Sequence, residues 1–116
     1  MIYKNLNIWD GSLPGTRKGS IAVRGEKFVH ESQVNDSQSR DFSGLFAFPG
    51  LIDAHVHMCL DPELKDPFEQ TVAGKGKIKE DIRRRAAMMV RAGITTARDL
   101  GGGEYLELEV RDEIAA

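Results

Sequence analysis

Residues 48–58 read Phe48-Pro49-Gly50-Leu51-Ile52-Asp53-Ala54-His55-Val56-His57-Met58. Pro49 removes a backbone donor and ends the run before it, Gly50 allows the turn, and the chain re-enters at once as an apolar, strand-like segment. Leu51 to Met58 is therefore expected to be a buried strand. Residues two apart on a strand share a face, about 6.5 Å apart along the backbone, so His55 and His57 point the same way. Two imidazoles aimed at one spot can share a divalent metal at about 2.0–2.1 Å each. The plainer alternative is a pair of core histidines with backbone partners. Structural zinc sites take four protein ligands and catalytic ones three, so two donors make only part of a centre.

What surrounds this strand limits how the chain can fold. Ile2 to Trp9 carries Leu6 and Ile8 and is broken by Asp10-Gly11. Gly15 to Gly19 reads as a polar turn region. Ser20 to Val23 and Lys27 to His30 are short β-prone runs joined by a tight hairpin at Arg24-Gly25-Glu26. Ser32 to Ser39 is polar and loop-like, and Leu45-Phe46-Ala47-Phe48 can pair as another strand. Trp9, Phe28, Phe42, Phe46 and Phe48 are expected in the core of this β-segment.

After Pro49 the pattern changes. Asp61 to Gly76 is loop-like, with Pro62, Pro67, Gly74 and Gly76 as breakers. Ile78, Ile82, Ala86, Met89 and Val90 then recur at helical spacing, and Gly93 follows as a C-terminal cap. Ile94 to Ala97 suits a strand, Asp99 to Gly103 a flexible loop, and Leu106, Val110 and Ile114 a second helix. Strand–helix–strand–helix order argues for α/β architecture with a parallel sheet. The loop after each strand then opens on one edge, the edge where such sheets and (β/α)8 barrels bind ligands. His55, His57 and Asp99 all fall there. The composition shift near Pro49-Gly50 divides the chain into domains 1–48 and 49–116.

Bulk properties exclude several roles. The 16 basic and 18 acidic residues give a net charge of −2, which provides no electrostatic reason for nucleic acid or an acidic membrane as partner. Arg83-Arg84-Arg85 follows Glu80 and Asp81 inside a helical pattern and reads as a solvated helix face. A single cysteine, Cys59, excludes an internal disulfide framework. No leader-like start and no apolar run near 18 residues is present, so the default location is the cytoplasm.

Pro49-Gly50-Leu51-Ile52-Asp53-Ala54-His55-Val56-His57 resembles the signature of the amidohydrolase superfamily. Ala92-Gly93-Ile94-Thr95-Thr96-Ala97-Arg98-Asp99-Leu100-Gly101 resembles the second barrel strand of its imidazolonepropionase-like and prolidase-like branch. The Asp10-Gly11 break and the Arg24-Gly25-Glu26-Lys27 turn fit its N-terminal β-segment. The resemblance implies the N-terminal part of a small β-sandwich followed by the first two βα units of a (β/α)8 barrel. It implies that His55 and His57 bind a divalent metal, commonly zinc, that activates water to attack a C–N bond of a small-molecule substrate. The remaining ligands and the aspartate general base would come from later strands, so no catalytic residue is carried over to this chain. Asp53 is placed to steady a ligand.

Other residues favour bland roles. If the strand continues straight, Cys59 joins the two histidines on one face, but a buried, inert thiol is the stronger reading. Asp99 is expected to bond the loop backbone and Arg98 to form a structural ion pair. Gly101-Gly102-Gly103 lacks the lysine and spacing of a phosphate loop and reads as a plain connection. His30 is read as a surface residue. Two readings of the whole follow. The first is an amidohydrolase segment that is inactive alone, its Ala115-Ala116 end falling inside a helical pattern. The second is a self-standing binding or structural protein. Open sheet edges predict a homo-oligomer or association with the missing C-terminal part.

Overall fold

The computed structural model describes residues 1–12, 14–66, 69, 74–102 and 104–116. The chain forms two compact units, Met1–Pro49 and Gly50–Ala116.

The first unit is a five-stranded mixed sheet. Its centre is β1 (Ile2–Ile8), flanked by antiparallel β2 (Arg17–Arg24), which also pairs with β3 (Lys27–Val29). The β2–β3 turn is Gly25-Glu26, with φ +61° at Gly25 alone, the sign that a type II′ hairpin demands at its first central residue. The other edge of β1 takes two short parallel strands in succession, β4 (Ser39–Asp41) and β5 (Phe46–Ala47). A bulge interrupts β1 between Tyr3 and Leu6. Asn5 sits there at φ +64°, a conformation its short polar side chain tolerates, and its amide donates to Asp41 Oδ1 at 2.9 Å. The Ser43 hydroxyl and this Asn5 amide hold the Asp41 carboxyl below its ordinary pKa.

Several expectations for this unit change. Gly19 is inside β2, opposite Leu6, not in a turn. A Cβ there would meet Ile8 Cδ1 at 3.1 Å, so the glycine makes room for a core side chain. The stretch expected as a loop carries two short 3-10 turns, Glu31–Gln33 and Asp36–Gln38, and β4 begins at Ser39. His30 is exposed, as expected, and caps the first: its Nδ1 accepts from Ser32 N at 3.3 Å, and Gln33 Oε1 accepts from His30 N at 3.2 Å. The buried residues are the aliphatics Ile2, Leu6, Ile8 and Ala22, whereas Trp9, Phe28, Phe46 and Phe48 are exposed. Phe28 lies on edge strand β3, Phe46 on the two-residue β5, and Trp9 and Phe48 just past strand ends, positions that a single sheet leaves bare. Phe42 is half-buried, edge-on to Tyr3 at 5.3 Å.

The second unit runs β6 (Leu51–Val56), α1 (Lys75–Arg91), β7 (Ile94–Asp99), α2 (Leu106–Ala115). β6 and β7 pair in parallel, from Leu51↔Ile94 to Val56↔Asp99. The pairing brings Gly50 so near Thr95 that a Cβ at Gly50 would collide with the threonine side chain. α1 ends as the sequence predicts: Ala92 N–H turns back to Met88 and Met89 carbonyls at 3.0 Å, and Gly93 takes φ +86°. Gly76 is inside the first turn of α1 rather than before it, where a glycine costs little because that turn frays. Pro67 is outside the described residues.

Ile78 and Ile82 from α1 meet Leu106 and Val110 from α2 and Cys59, forming one buried cluster. Across the two helices Lys79 Nζ reaches Glu113 at 2.7 Å and Glu109 at 3.0 Å, and Arg83 also pairs with Glu113. The expectation of a buried β6 is not met: Leu51 is 48% and Ile52 71% exposed. Among the described residues the sheet has two strands, so each has one partner and β6 keeps an open edge. Val90 and Ile114, at the far end of the apolar stripes, are exposed as well.

Gly50→Ala is expected to destabilise the chain by about 1–3 kcal/mol in urea unfolding, as overpacking does, and Thr95→Ala should restore only part of it, because the β-carbon at position 95 would still lie 2.7 Å from the new one. Lys79 and then Arg83 lower the Glu113 pKa. A carboxyl lowered in the folded state adds stability above its unfolded pKa, about 4.3, and loses it as pH falls through the folded value. Glu113→Gln should therefore flatten the decline of the thermal midpoint between about pH 5 and pH 3, while leaving less stability at pH 7.

Candidate metal centre

β6 ends at Val56, so His57 is the first residue beyond the ladder, and the chain turns at Met58-Cys59. The alternation therefore stops before Cys59, whose side chain enters the apolar cluster at 5% exposure. Burial, and next the charge of Asp99, raise its thiol pKa, as an inert cysteine requires. The two histidines remain exposed and converge. Their Nε2 atoms are 3.3 Å apart, with ring centroids at 5.3 Å and ring planes at 70°. Two zinc–nitrogen bonds of about 2.0–2.1 Å at the tetrahedral angle span about 3.3–3.4 Å, the same separation.

His57 is held from its other side. Its Nδ1 lies 2.5 Å from Gly101 O. A carbonyl can only accept, so Nδ1 carries the proton and the neutral ring presents a bare Nε2 lone pair. Asp53 Oδ1 accepts from His55 N at 3.1 Å, so it steadies the backbone of the histidine rather than its ring. Among the described residues no group of three or more His, Cys, Asp or Glu is gathered to hold a metal. The spacing of the two imidazole nitrogens fits two positions of a divalent centre.

The loop after β7 joins this site. Asp99 Oδ2 accepts from Met58 N at 3.0 Å and Oδ1 from Gly101 N at 2.8 Å, the backbone role expected of it. Gly102 packs against Cys59 and His57: a Cβ would collide with Cys59 Sγ and lie 3.9 Å from His57 Nδ1. This glycine pair is a fitted part of the site, not the plain connection expected; Gly103 is outside the described residues. The arginine run divides. Arg83 and Arg84 are surface side chains in ion pairs, as expected. Arg85 is 12% exposed and donates to Met58 O at 2.7 Å, with Asp61 at 3.5 Å. The signal for it was present: Arg85 falls on the stripe of Ile78, Ile82 and Met89, where a solvated charge has no place. Nothing in the residue pattern pointed to the Gly101 carbonyl, because backbone partners leave no trace in side-chain identity.

Residues 46–114 match the amidohydrolase family, and the chain belongs to that family. It is 32% identical over 72 residues to an adenine deaminase of Desulfatibacillum aliphaticivorans, covering 60% of this chain and 12% of that protein. It is 33% identical over 63 residues to an imidazolonepropionase of Erwinia tasmaniensis, covering 49% and 16%. Among solved structures, phenylurea hydrolase B superposes with a TM-score of 0.81 at 22% identity, over 98% of this chain and 27% of that one. A prolidase complexed with N-methylphosphonate-L-proline gives 0.76 at 19% identity, over 97% and 28%. The chain thus spans under a fifth of these curated relatives and about a quarter of these structures. The family is generally metal-dependent. No described helix is long and apolar enough to cross a membrane.

Proposed function

We propose that this chain is the opening segment of a metal-dependent hydrolase acting on C–N bonds of a small amide, cyclic amide or dipeptide-like substrate. His55 and His57 are its first two metal donors. The observation that carries this reading is the 3.3 Å Nε2–Nε2 separation within the family-matched segment, at the end of β6 where the loop after β7 also lies. Met1–Pro49 then corresponds to half of a small β-sandwich and Gly50–Ala116 to the first two βα units of a (β/α)8 barrel. A bound divalent ion, zinc by the nitrogen donors, supplies Lewis acidity and an activated water. The chain's own residues orient: Gly101 holds the proton of His57 on Nδ1 and leaves its Nε2 bare, and His55 sets its own Nε2 3.3 Å away. Two exposed donors retain a metal weakly and enclose no substrate, so the chain by itself is inactive.

Titration of the purified chain with cobalt(II), followed by visible absorption, is expected to show weak binding that drops at least tenfold in His55→Ala and His57→Ala. Equal binding by wild type and both variants would retire the ligand assignment, and metal-dependent hydrolysis by the chain alone would overturn its inactivity.

The exposed Ile52, Val90 and Ile114 and the open edge of β6 favour a second property, association with the rest of a barrel or with another copy. Multi-angle light scattering should report a dimer or larger species for the chain alone; a monodisperse, folded monomer would count against self-association. The reading involves no nucleic acid and no membrane, and a cytoplasmic setting suits it.

A further inference from the structure

We infer that Asp99 is a positioning residue for His57, acting through the backbone of Gly101 to keep the His57 Nε2 bare and aimed at His55. The inference deepens the metal-donor reading above and rests on it for its purpose, though not for its geometry.

Asp99 is the last residue of β7 and lies opposite Val56, the last of β6. Its two carboxylate oxygens take two backbone donors on either side of the histidine. Oδ2 accepts from Met58 N, the residue after His57, at 3.0 Å. Oδ1 accepts from Gly101 N at 2.8 Å. Gly101, at φ +82°, in turn presents its carbonyl to His57 Nδ1 at 2.5 Å. The bonds close a ring that begins and ends at His57: backbone to Met58, carboxylate, Gly101, imidazole. Gly102 presses the same loop against Cys59 and the imidazole, where any side chain would force it away.

Each part of this ring has a consequence for the proton. The carbonyl accepts from Nδ1 and so excludes the tautomer that carries the proton on Nε2. The carbonyl stays in reach only while the loop is held, and the loop is held by the carboxylate. A neutral amide at position 99 has one acceptor oxygen for two N–H groups and turns a donor toward the other. A residue serving only as a brace for the strand end would stabilise the chain yet leave the imidazole tautomer unchanged. The two roles therefore separate in a spectrum.

The test uses the full chain, metal-free, with imidazole nitrogens read by long-range proton–nitrogen-15 correlation at a pH where the rings are neutral. In the wild type His57 is expected to show a protonated Nδ1 and a bare Nε2. Asp99→Asn should shift His57 toward the Nε2-protonated form and lower cobalt(II) affinity by about 10–100-fold, the usual effect of losing a partner behind a metal ligand. A wild-type His57 protonated on Nε2 overturns the proposal without any variant, which keeps it testable even where Asp99→Asn does not fold. A folded Asp99→Asn with an unchanged tautomer overturns it too. Absence of cobalt binding in the wild type, with a tautomer that follows residue 99, would remove the metal reading and leave the positioning role standing.

Discussion

The parallel pairing of β6 with β7 is the constraint on which the second unit depends. Parallel strands cannot be joined by a tight turn, so the chain must leave the sheet and return, and α1 provides that crossover. The pairing needs close backbone approach at its start, where Gly50 faces Thr95. At its end it sets Val56 beside Asp99, and this brings the two outgoing loops together. His57 and Gly101 are distant in sequence and meet because of that register. The site is thus a property of the pairing before it is a property of any side chain.

This explains what was legible in the residues and what was not. Local signals carried well: the Gly25 hairpin, the Gly93 cap and the two apolar stripes all specify elements by short-range rules. The order of elements carried the parallel pairing. Burial did not carry, because it depends on neighbours. Ile52 has the identity of a buried strand residue and lies 71% exposed beside a single partner strand. The aromatics of the first unit behave alike: Phe28 and Phe46 belong to strands too peripheral for one sheet to cover. Gly19 misled for another reason. A glycine needed for space and one needed for a turn look identical in sequence, and only the nearness of Ile8 tells them apart.

The histidine pair was legible as a pair, since alternation puts His55 and His57 on one face. Its support was not. Three of the groups that hold it are backbone atoms: Met58 N, Gly101 N and Gly101 O. Such contacts exist only once the loops are in place. Membership of the amidohydrolase family agrees with the strand motif. How His57 is fixed comes from the hydrogen bonds.

Arg85 extends that support to the helix. Its guanidinium leaves the face shared by Ile78 and Ile82 to bond Met58 O, one residue past His57. Asp99 takes the N–H of the same Met58 residue. The peptide groups flanking Met58 are thereby tied on one side to β7 and on the other to α1. Freezing a residue's backbone costs about 1–2 kcal/mol of conformational entropy. Folding of the helix onto the sheet meets that cost for this segment in advance. If His55 and His57 are metal donors as proposed, an arriving ion finds them already ordered, so its binding energy goes into coordination and not into arranging the chain.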